Sequence, residues 1–449
     1  MINTRTAARG VITTRLWPSR IAVAFLLAAV VATDVSAQAP QTPLTAPLTL
    51  RDVLRAVNDS AEVRLAKQAQ AGAEADVLTA DHAPLPVLSS KLSQIDFQNG
   101  LGAGDLLGRK RIDKAIGIDW TYERGDKRFH RTNTAKRLVA ATAAEIQEAQ
   151  LQQMLAGQAA YFDWLAARER VQLATTMEAA SQESVKAAQT RLKAGDLSQQ
   201  DASRIEIDAA RVGVDKSTAQ LDLARASIVI EQITQRQGIA TISAISAGPV
   251  EWPVLTDFAV PASVTSETAA ALIASRGDVV ASRERVAAAA SALDGAYALQ
   301  KVDPTWGISS DHYPGTSNRL VELRVQIPIT WGYRYQGEAA RAQSDLKQAE
   351  LTEERVLRDA RTELARLHQE ALAMERRTAS FDKDIVPRAS QVASQAEFAY
   401  KRGALSLTDL LDARRTLRTT QLDALAARAD LAKARTALML RTDPQRLLR

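Results

Sequence analysis

Hydrophobic and polar residues follow two different periods along this chain, and the period changes at matching places in its two halves. Over Ala115 to Tyr122, the apolar Ile116, Ile118, Trp120 and Tyr122 alternate with Ala115, Gly117, Asp119 and Thr121. Over Leu320 to Ile329, Val321, Leu323, Val325, Ile327 and Ile329 alternate with Glu322, Arg324, Gln326 and Pro328. A period of two sends neighbouring side chains to opposite faces, so both stretches predict strands with one apolar and one polar face. Each has a weaker partner before it, across a turn rich in Gly and Asn (Asn99 to Gly104, and Pro314 to Asn318). Leu88 to Phe97 changes phase near Ile95, which predicts a bulge, and Thr305 to Tyr313 holds Trp306 and Ile308 in alternation. The predicted strands are about 87–98, 112–124, 305–313 and 320–330.

Helical periodicity fills the rest. Leu48 opens a helical stretch that runs to about Ala83 and stops at Pro84 and Pro86. A very long one follows from about Thr132 to Lys193, with Leu138, Ile146, Leu151, Leu155, Tyr161, Trp164, Leu165, Val171 and Leu173 among its apolar positions. Unbroken, it is on the order of 90 Å long, more than any ordinary globular domain, so it must pair with other helices along its length. A return helix covers Ser198 to Gln237, and the Gly- and Pro-containing stretch 238–266 links the halves. From Glu267 the plan repeats: helix to about Lys301, two strands, helix from about Gly337 with an interruption at Pro387, and a last helix to about Arg441 before a tail at 442–449.

Two nine-residue segments 208 positions apart mark the duplication: Lys193-Ala-Gly195-Asp-Leu197-Ser198-Gln-Gln-Asp201 and Lys401-Arg-Gly403-Ala-Leu405-Ser406-Leu-Thr-Asp409. In each, Lys sits in the last turn of a helix, Gly takes the left-handed position that ends it, and Ser caps the next helix. The Asp three residues on occupies the second place of a capping box. Each segment is the tip of an α-hairpin, and each half reads helix, strand, strand, helix-hairpin over 48–237 and 267–441.

Composition narrows what such a chain can do. Aromatic residues are only 4% of the 449, which suits long helices with narrow seams better than thick cores. Arg5, Arg9, Arg15 and Arg20, the apolar run Ile21 to Ala32 and Val35-Ser36-Ala37 predict a secretory signal over 1–37, followed by a Pro-containing leader at 38–47. Those four Arg against Asp34 leave the remainder at about +2 from the +5 of the whole chain, so the charge gives no argument for nucleic acid. Cysteine is absent, which excludes disulfides and predicts no lipid anchor through Cys. With four scattered His (His82, His130, His312, His368), no metal centre, cofactor site, phosphate-cradling loop or catalytic pairing is expected. The chain is not expected to be an enzyme.

Secreted strands with one apolar face, in a chain without a membrane helix, predict an outer-membrane β-barrel, because only a closed barrel satisfies strand backbones in lipid. Four strands are too few for one chain to close, so several copies must contribute.

The two tips, Leu48-Thr49-Leu50-x-x-Val53-Leu54 and Tyr122-Glu123-Arg124-Gly125-Asp126-Lys127-Arg128 resemble the TolC-like outer membrane efflux proteins over Leu48 to about Arg441. That last segment, with Val325-Gln-Ile327-Pro328-Ile329, is similar to the subgroup serving cobalt-zinc-cadmium exporters, although Asp126 stands where that pattern has a second Gly. The resemblance implies a mainly α fold with membrane β: a homotrimer closing a barrel of about 12 strands, continuous with a long α-helical barrel. It implies an outer-membrane location extending into the periplasm, and partnership with a periplasmic adaptor and an inner-membrane pump of the RND type. The protein would be a passive exit duct for efflux. An exit duct for secreted polypeptides and a non-pore periplasmic coiled-coil scaffold or adhesin are the alternatives.

Residue roles follow by the same resemblance. Asp409 and Asp412 correspond to carboxylates that ring the closed periplasmic end, and Tyr400 and Asp201 to a contact that ties it shut. For Asp409 and Asp201 the capping position is a sufficient explanation by itself, whereas Asp412 lies beyond the cap and has Arg204 as its counterpart in the other repeat. Tyr400 reads equally as a seam aromatic. Gly195, Leu197, Ser198, Gly403, Leu405 and Ser406 are the expected adaptor-docking tips, where an exposed Leu would have a use. Trp120, Tyr122, Trp306 and Trp331, with Tyr333 and Tyr335, fit either an aromatic girdle at a bilayer interface or strand-end packing.

Overall fold

The computed structural model describes residues 48–95, 98, 112–235, 251–253, 266–313 and 317–448. The predicted signal and leader, most of the predicted linker and the turns at 99–104 and 314–316 lie outside the described residues.

The first half begins with α1 (Leu50–Val57) and α2 (Ala61–Ala80), where periodicity predicts one helix. Thr49 and Asp52 form a reciprocal capping box at the start of α1. The helix stops at Asn58, and Ser60 recaps α2 by accepting from the Val63 amide. Strands β1 (Val87–Ser93) and β2 (Asp113–Thr121) follow, both shorter than predicted. Gln94 turns into the left-handed region at φ 57°, so β1 ends where the predicted bulge would begin. Helix α3 (Lys127–Lys193) runs 67 residues, roughly 100 Å at 1.5 Å per residue, and α4 (Gln199–Thr234) returns beside it.

The second half repeats this order with α5 (Ser266–Ala274), α6 (Gly277–Ala298), β3 (Thr305–Tyr313), β4 (Ser317–Gln326) and α7 (Gln336–Ser380). A single π turn, Phe381–Ile385, precedes α8 (Val386–Lys401). Pro387 has no N–H to donate, and the Val386 amide reaches back to the Phe381 carbonyl, so the extra residue absorbs the defect without breaking the rod. Helix α9 (Leu407–Thr442) and the single turn α10 (Gln445–Leu448) close the described chain.

All four strands join one antiparallel sheet in the order β1-β2-β3-β4, so the two repeats meet at β2 and β3. The helices continue this order next to the sheet, with α3 packed on α2 and α6, and α6 packed on α7. Toward the tips α3 instead packs between α4 and α9, and α9 packs on α8. One flank of the chain is therefore β1, α2 and α4, and the other is β4, α7 and α8. No helix among the described residues is long and apolar enough to cross a membrane.

Packing is thin and local. The largest cluster lies where α1 crosses the middle of α3, joining Val53, Leu54 and Val57 to Met154, Tyr161, Phe162, Trp164 and Leu165, with Ile230 and Leu440. Gly157 lets α1 approach there, since a Cβ would stand 3.0 Å from Val57 Cγ1. Elsewhere helices meet through Ala: Ala141, Ala144 and Ala281 form one such contact, and small side chains permit the close approach.

Candidate functional site

The two faces of the sheet differ in chemistry, and the register shows how sharply. Leu88, Ile118, Ile308 and Leu323 stand in one row across all four strands, and all four are exposed. Trp120, Trp306 and Val325 form the next row, also exposed. The opposite face carries Ser89, Gly117, Ser309 and Glu322 in one row, and Thr121 hydrogen-bonded to Thr305 at 3.0 Å in another. Arg324 on β4 donates to Asp119 on β2 at 2.6 Å across the intervening strand β3. That pair requires Gly307 beneath it, because a Cβ there would stand 2.2 Å from Asp119 Oδ1. The sheet thus has contiguous apolar rows open to solvent on one side and polar and small residues on the other.

Below the sheet, the segment Tyr122 to Arg128 is tied to the turn before β3. The Tyr122 amide donates to the Pro304 carbonyl at 2.9 Å, the Arg124 amide to Asp303 at 2.8 Å, and Lys127 Nζ to both Lys301 O and Asp303. Gly125 takes φ +74° directly against Lys301, a position open only to glycine. Asp126 follows in the same region at φ 56°, which explains the second Gly of the resembled pattern: Asp is one of the few residues that tolerate it.

At both tips the glycines and the capping serines take the positions the residues predict. Gly195 and Gly403 take φ 81° and 73°. Ser198 accepts from the Asp201 amide at 3.0 Å and donates to its carboxylate at 2.8 Å; Ser406 does the same for Asp409 at 3.2 and 2.7 Å. Leu197 and Leu405 are half-buried rather than exposed, packed on a small cluster of Ala188, Ile205, Ala396, Leu407 and Leu410 that joins the two hairpins. Tyr400 packs against the same cluster with the Arg191 guanidinium 5.6 Å over its ring. The Asp201 carboxylate, held by Ser198, has Arg204 at 3.9 Å, and Arg204 in turn reaches Thr408 at 3.4 Å. Asp412 is 73% exposed, with Arg415 its one ion-pair partner among the described residues, at 3.9 Å. Asp409 is exposed as well, so both carboxylates are open to solvent within one chain. Trp331 is 89% exposed, and the rings of Tyr333 and Tyr335 meet at a tilt of 55° with their centroids 6.0 Å apart.

Between sheet and tips, Arg441 of α9 is only 3% exposed and holds Glu148 of α3 at 2.9 Å and Glu363 of α7 at 3.1 Å. Glu363 also accepts from Arg276 at 2.8 Å, and Arg276 chelates Asp278 at the start of α6. Burial alone would raise the Asp278 carboxyl, but the hydrogen bonds and charge of Arg276 outweigh it and hold the group below the ordinary carboxylate value. Tyr161, buried beneath α1, has its hydroxyl pushed up to about 12 by burial. No His, Cys, Asp and Glu group that could hold a metal ion occurs among the described residues.

The sequence reading missed one surface. Helix α4 buries Ala202, Ile205, Ala209, Val212 and Ala219 against α3, a heptad seam. It carries a second, unpartnered stripe at strict seven-residue spacing: Ile207, Val214, Leu221 and Ile228, all exposed. On the other flank Ile385, Val392 and Phe398 are exposed at nearly the same spacing. The contacts Arg204 to Thr408 and Arg418 to Asp215 fix which turns of α4 and α9 lie level, and Arg414 to Glu397 carries that level to α8 as Thr378 to the Ala427 carbonyl does to the end of α7. Ile207 then stands at the height of Phe398, Val214 near Val392 and Leu221 near Ile385. The period was legible from the residues alone.

No protein-family model matches the chain, and no curated protein does. Solved structures match over nearly its whole described length. The outer-membrane channel OprN superposes with a TM-score of 0.73 at 18% identity, covering 88% of this chain and 89% of that one. The fold is that of a TolC-like outer-membrane channel protomer. CusC, described through conformational changes accompanying folding and transmembrane channel formation, gives 0.70 at 18% identity, with 87% and 91% covered. VceC, an outer membrane protein of Vibrio cholerae, gives 0.69 at 18% identity, with 88% and 95% covered. These matches include nothing that singles out the cobalt-zinc-cadmium subgroup over other TolC-like channels.

Proposed function

We propose that this protein is the outer-membrane duct of a tripartite efflux system, passive in itself, through which substrates handed over by an inner-membrane pump and a periplasmic adaptor leave the cell. The observation that carries the reading is the four-stranded sheet, with exposed apolar rows on one face and polar groups on the other, continuous with helices long enough to cross a periplasm. Open β1 and β4 edges carry unpaired backbone groups that cannot face lipid, so the sheet must be completed by further copies. The stripes on α4 and α8 support the same completion. They lie on opposite flanks at matching heights, which suits a head-to-tail association that closes into a ring. Three copies give a barrel of about 12 strands.

In that ring Asp409 and Asp412, solvated in the single chain, gather six carboxylates near the axis of the tips, with Tyr400 and Asp201 at the contact between hairpins. Such a ring attracts cations and narrows the entrance electrostatically. The adaptor meets the tips around Gly195, Ser198, Gly403 and Ser406. Leu197 and Leu405, half-buried, give this surface shape more than apolar area.

The reading is tested by fractionation and electrophoresis. The protein should sediment with outer membranes, need detergent for release and migrate as a heat-resistant trimer. Release of a monomer by a salt wash alone would overturn it.

A further inference from the structure

A cleft of about 720 Å3 opens where β2 gives way to α3. Tyr122 lies in it two residues past Trp120 and in the same phase, so the cleft continues the apolar side of the sheet. Tyr122 and Phe129 leave 63% and 65% of their surface exposed at its rim. Its charged lining groups divide into paired and free. Lys127 is held by Asp303, Arg128 by Asp81 and Glu123 by Arg131. Arg124 and Lys136 are exposed and neither makes an ion pair within 4.0 Å among the described residues. The hydrogen bond and charge of Arg128, helped by the charge of Lys136, nevertheless hold the Asp81 carboxyl below its ordinary value. Asp126 is the single remaining carboxylate.

We propose that this cleft binds the phosphate of an anionic phospholipid headgroup at the periplasmic edge of the bilayer. The inference rests on the outer-membrane reading above, which puts lipid against the apolar rows. Rings at the hydrocarbon boundary and cations just beyond it form an arrangement in which acyl chain and phosphate are both satisfied. Acyl chains lie along Trp120 and Tyr122, and the phosphate sits between Arg124 and Lys136. Phe129 to Lys136 spans about 10 Å of α3, a headgroup's depth. A phosphate without a lipid would leave the exposed rings unused. The same chemistry recurs at the second repeat, where Ile329, Trp331 and Tyr333 are exposed beyond β4 and Arg334 follows, also exposed.

The test uses the purified full chain in detergent micelles doped with phosphatidylglycerol, phosphatidylethanolamine or inorganic phosphate, with bound molecules counted by native mass spectrometry. The wild type should retain phosphatidylglycerol in preference to phosphatidylethanolamine. The double variant Arg124→Ala/Lys136→Ala should lose about thirtyfold in apparent affinity, the equivalent of roughly 1 kcal/mol per surface cation. The charge-conserving Arg124→Lys/Lys136→Arg pair should keep it. Equal retention by the alanine variant, or retention of inorganic phosphate with no lipid preference, overturns the proposal. Bilayer conductance of the same preparations separates the two readings. Normal conductance with unchanged lipid retention sinks the headgroup site alone, whereas a wild type that never conducts removes the bilayer and the site with it.

Discussion

Asp126 and Tyr335 each start a long helix from the left-handed region, at φ 56° and 58°, and neither caps it with its side chain. For a bulky L-residue that conformation costs roughly 1–2 kcal/mol, part of which glycine gives back through its freer unfolded state. Tyr335→Gly should therefore stabilise the protein by about 0.5–1 kcal/mol, read as a higher denaturant midpoint. Asp126→Gly should give less, because Asp tolerates the region. Gly125→Ala should destabilise by more than about 1 kcal/mol, since φ is +74° and Lys301 Cγ stands 2.8 Å from the new Cβ. At this scale the sequence was readable wherever side-chain type dictates backbone, as at Gly195, Ser198, Gly403 and Ser406. It was silent on the cross-strand pair of Asp119 and Arg324 over Gly307, which depends on register between strands about 200 residues apart.

Among the elements, period decided almost everything. Alternation located all four strands, and their common apolar face followed from phase alone. The ends were less legible, since Gln94 stops β1 by a backbone turn that no pattern announces. The split of α1 from α2 was hidden because Asn58 to Ser60 sits inside a run of helical spacing, and only Ser60 as a cap betrays it. Pro387 predicts an interruption, but the form it takes, a π turn that keeps the rod continuous, comes from packing on α9 through Thr378 and Ala427. The helices α3, α6, α7 and α9 are joined by Arg441, Arg276 and their three carboxylates. Arg441→Ala removes the cation that Glu148 and Glu363 share, leaving Glu363 to Arg276 and Glu148 to Gln152, and should cost about 1–3 kcal/mol, measured by denaturant unfolding.

The Asp278 carboxyl is held low in the folded chain, so its contribution is complete above the ordinary carboxylate value of 3.8 and is lost as pH falls through the depressed folded value. Asp278→Asn should flatten the acid limb of the stability curve over that window, and an unchanged limb would place the acid sensitivity elsewhere. The stripes on α4 and α8 make a further prediction. In this chain without native Cys, Val214→Cys combined with Val392→Cys should oxidise to covalent oligomers, and either substitution alone should not.

For the whole molecule, the claim is a ring of copies with a water-filled axis and a carboxylate-lined entrance. In the proposed ring neither the closing nor the charge at the entrance belongs to one chain; within one chain Asp412 is a solvated carboxylate, 73% exposed beside Arg415. Replacing Asp409 and Asp412 together by Ala should weaken cation selectivity and block by multivalent cations, as reversal-potential measurements in a salt gradient would record. Unchanged selectivity would put those carboxylates away from the axis. The measurement that bears most directly on the account is conductance of the purified wild-type oligomer in a planar lipid bilayer. The account predicts discrete, cation-preferring channel openings in the absence of any pump or adaptor. A bilayer that stays silent after verified insertion of the oligomer would contradict it.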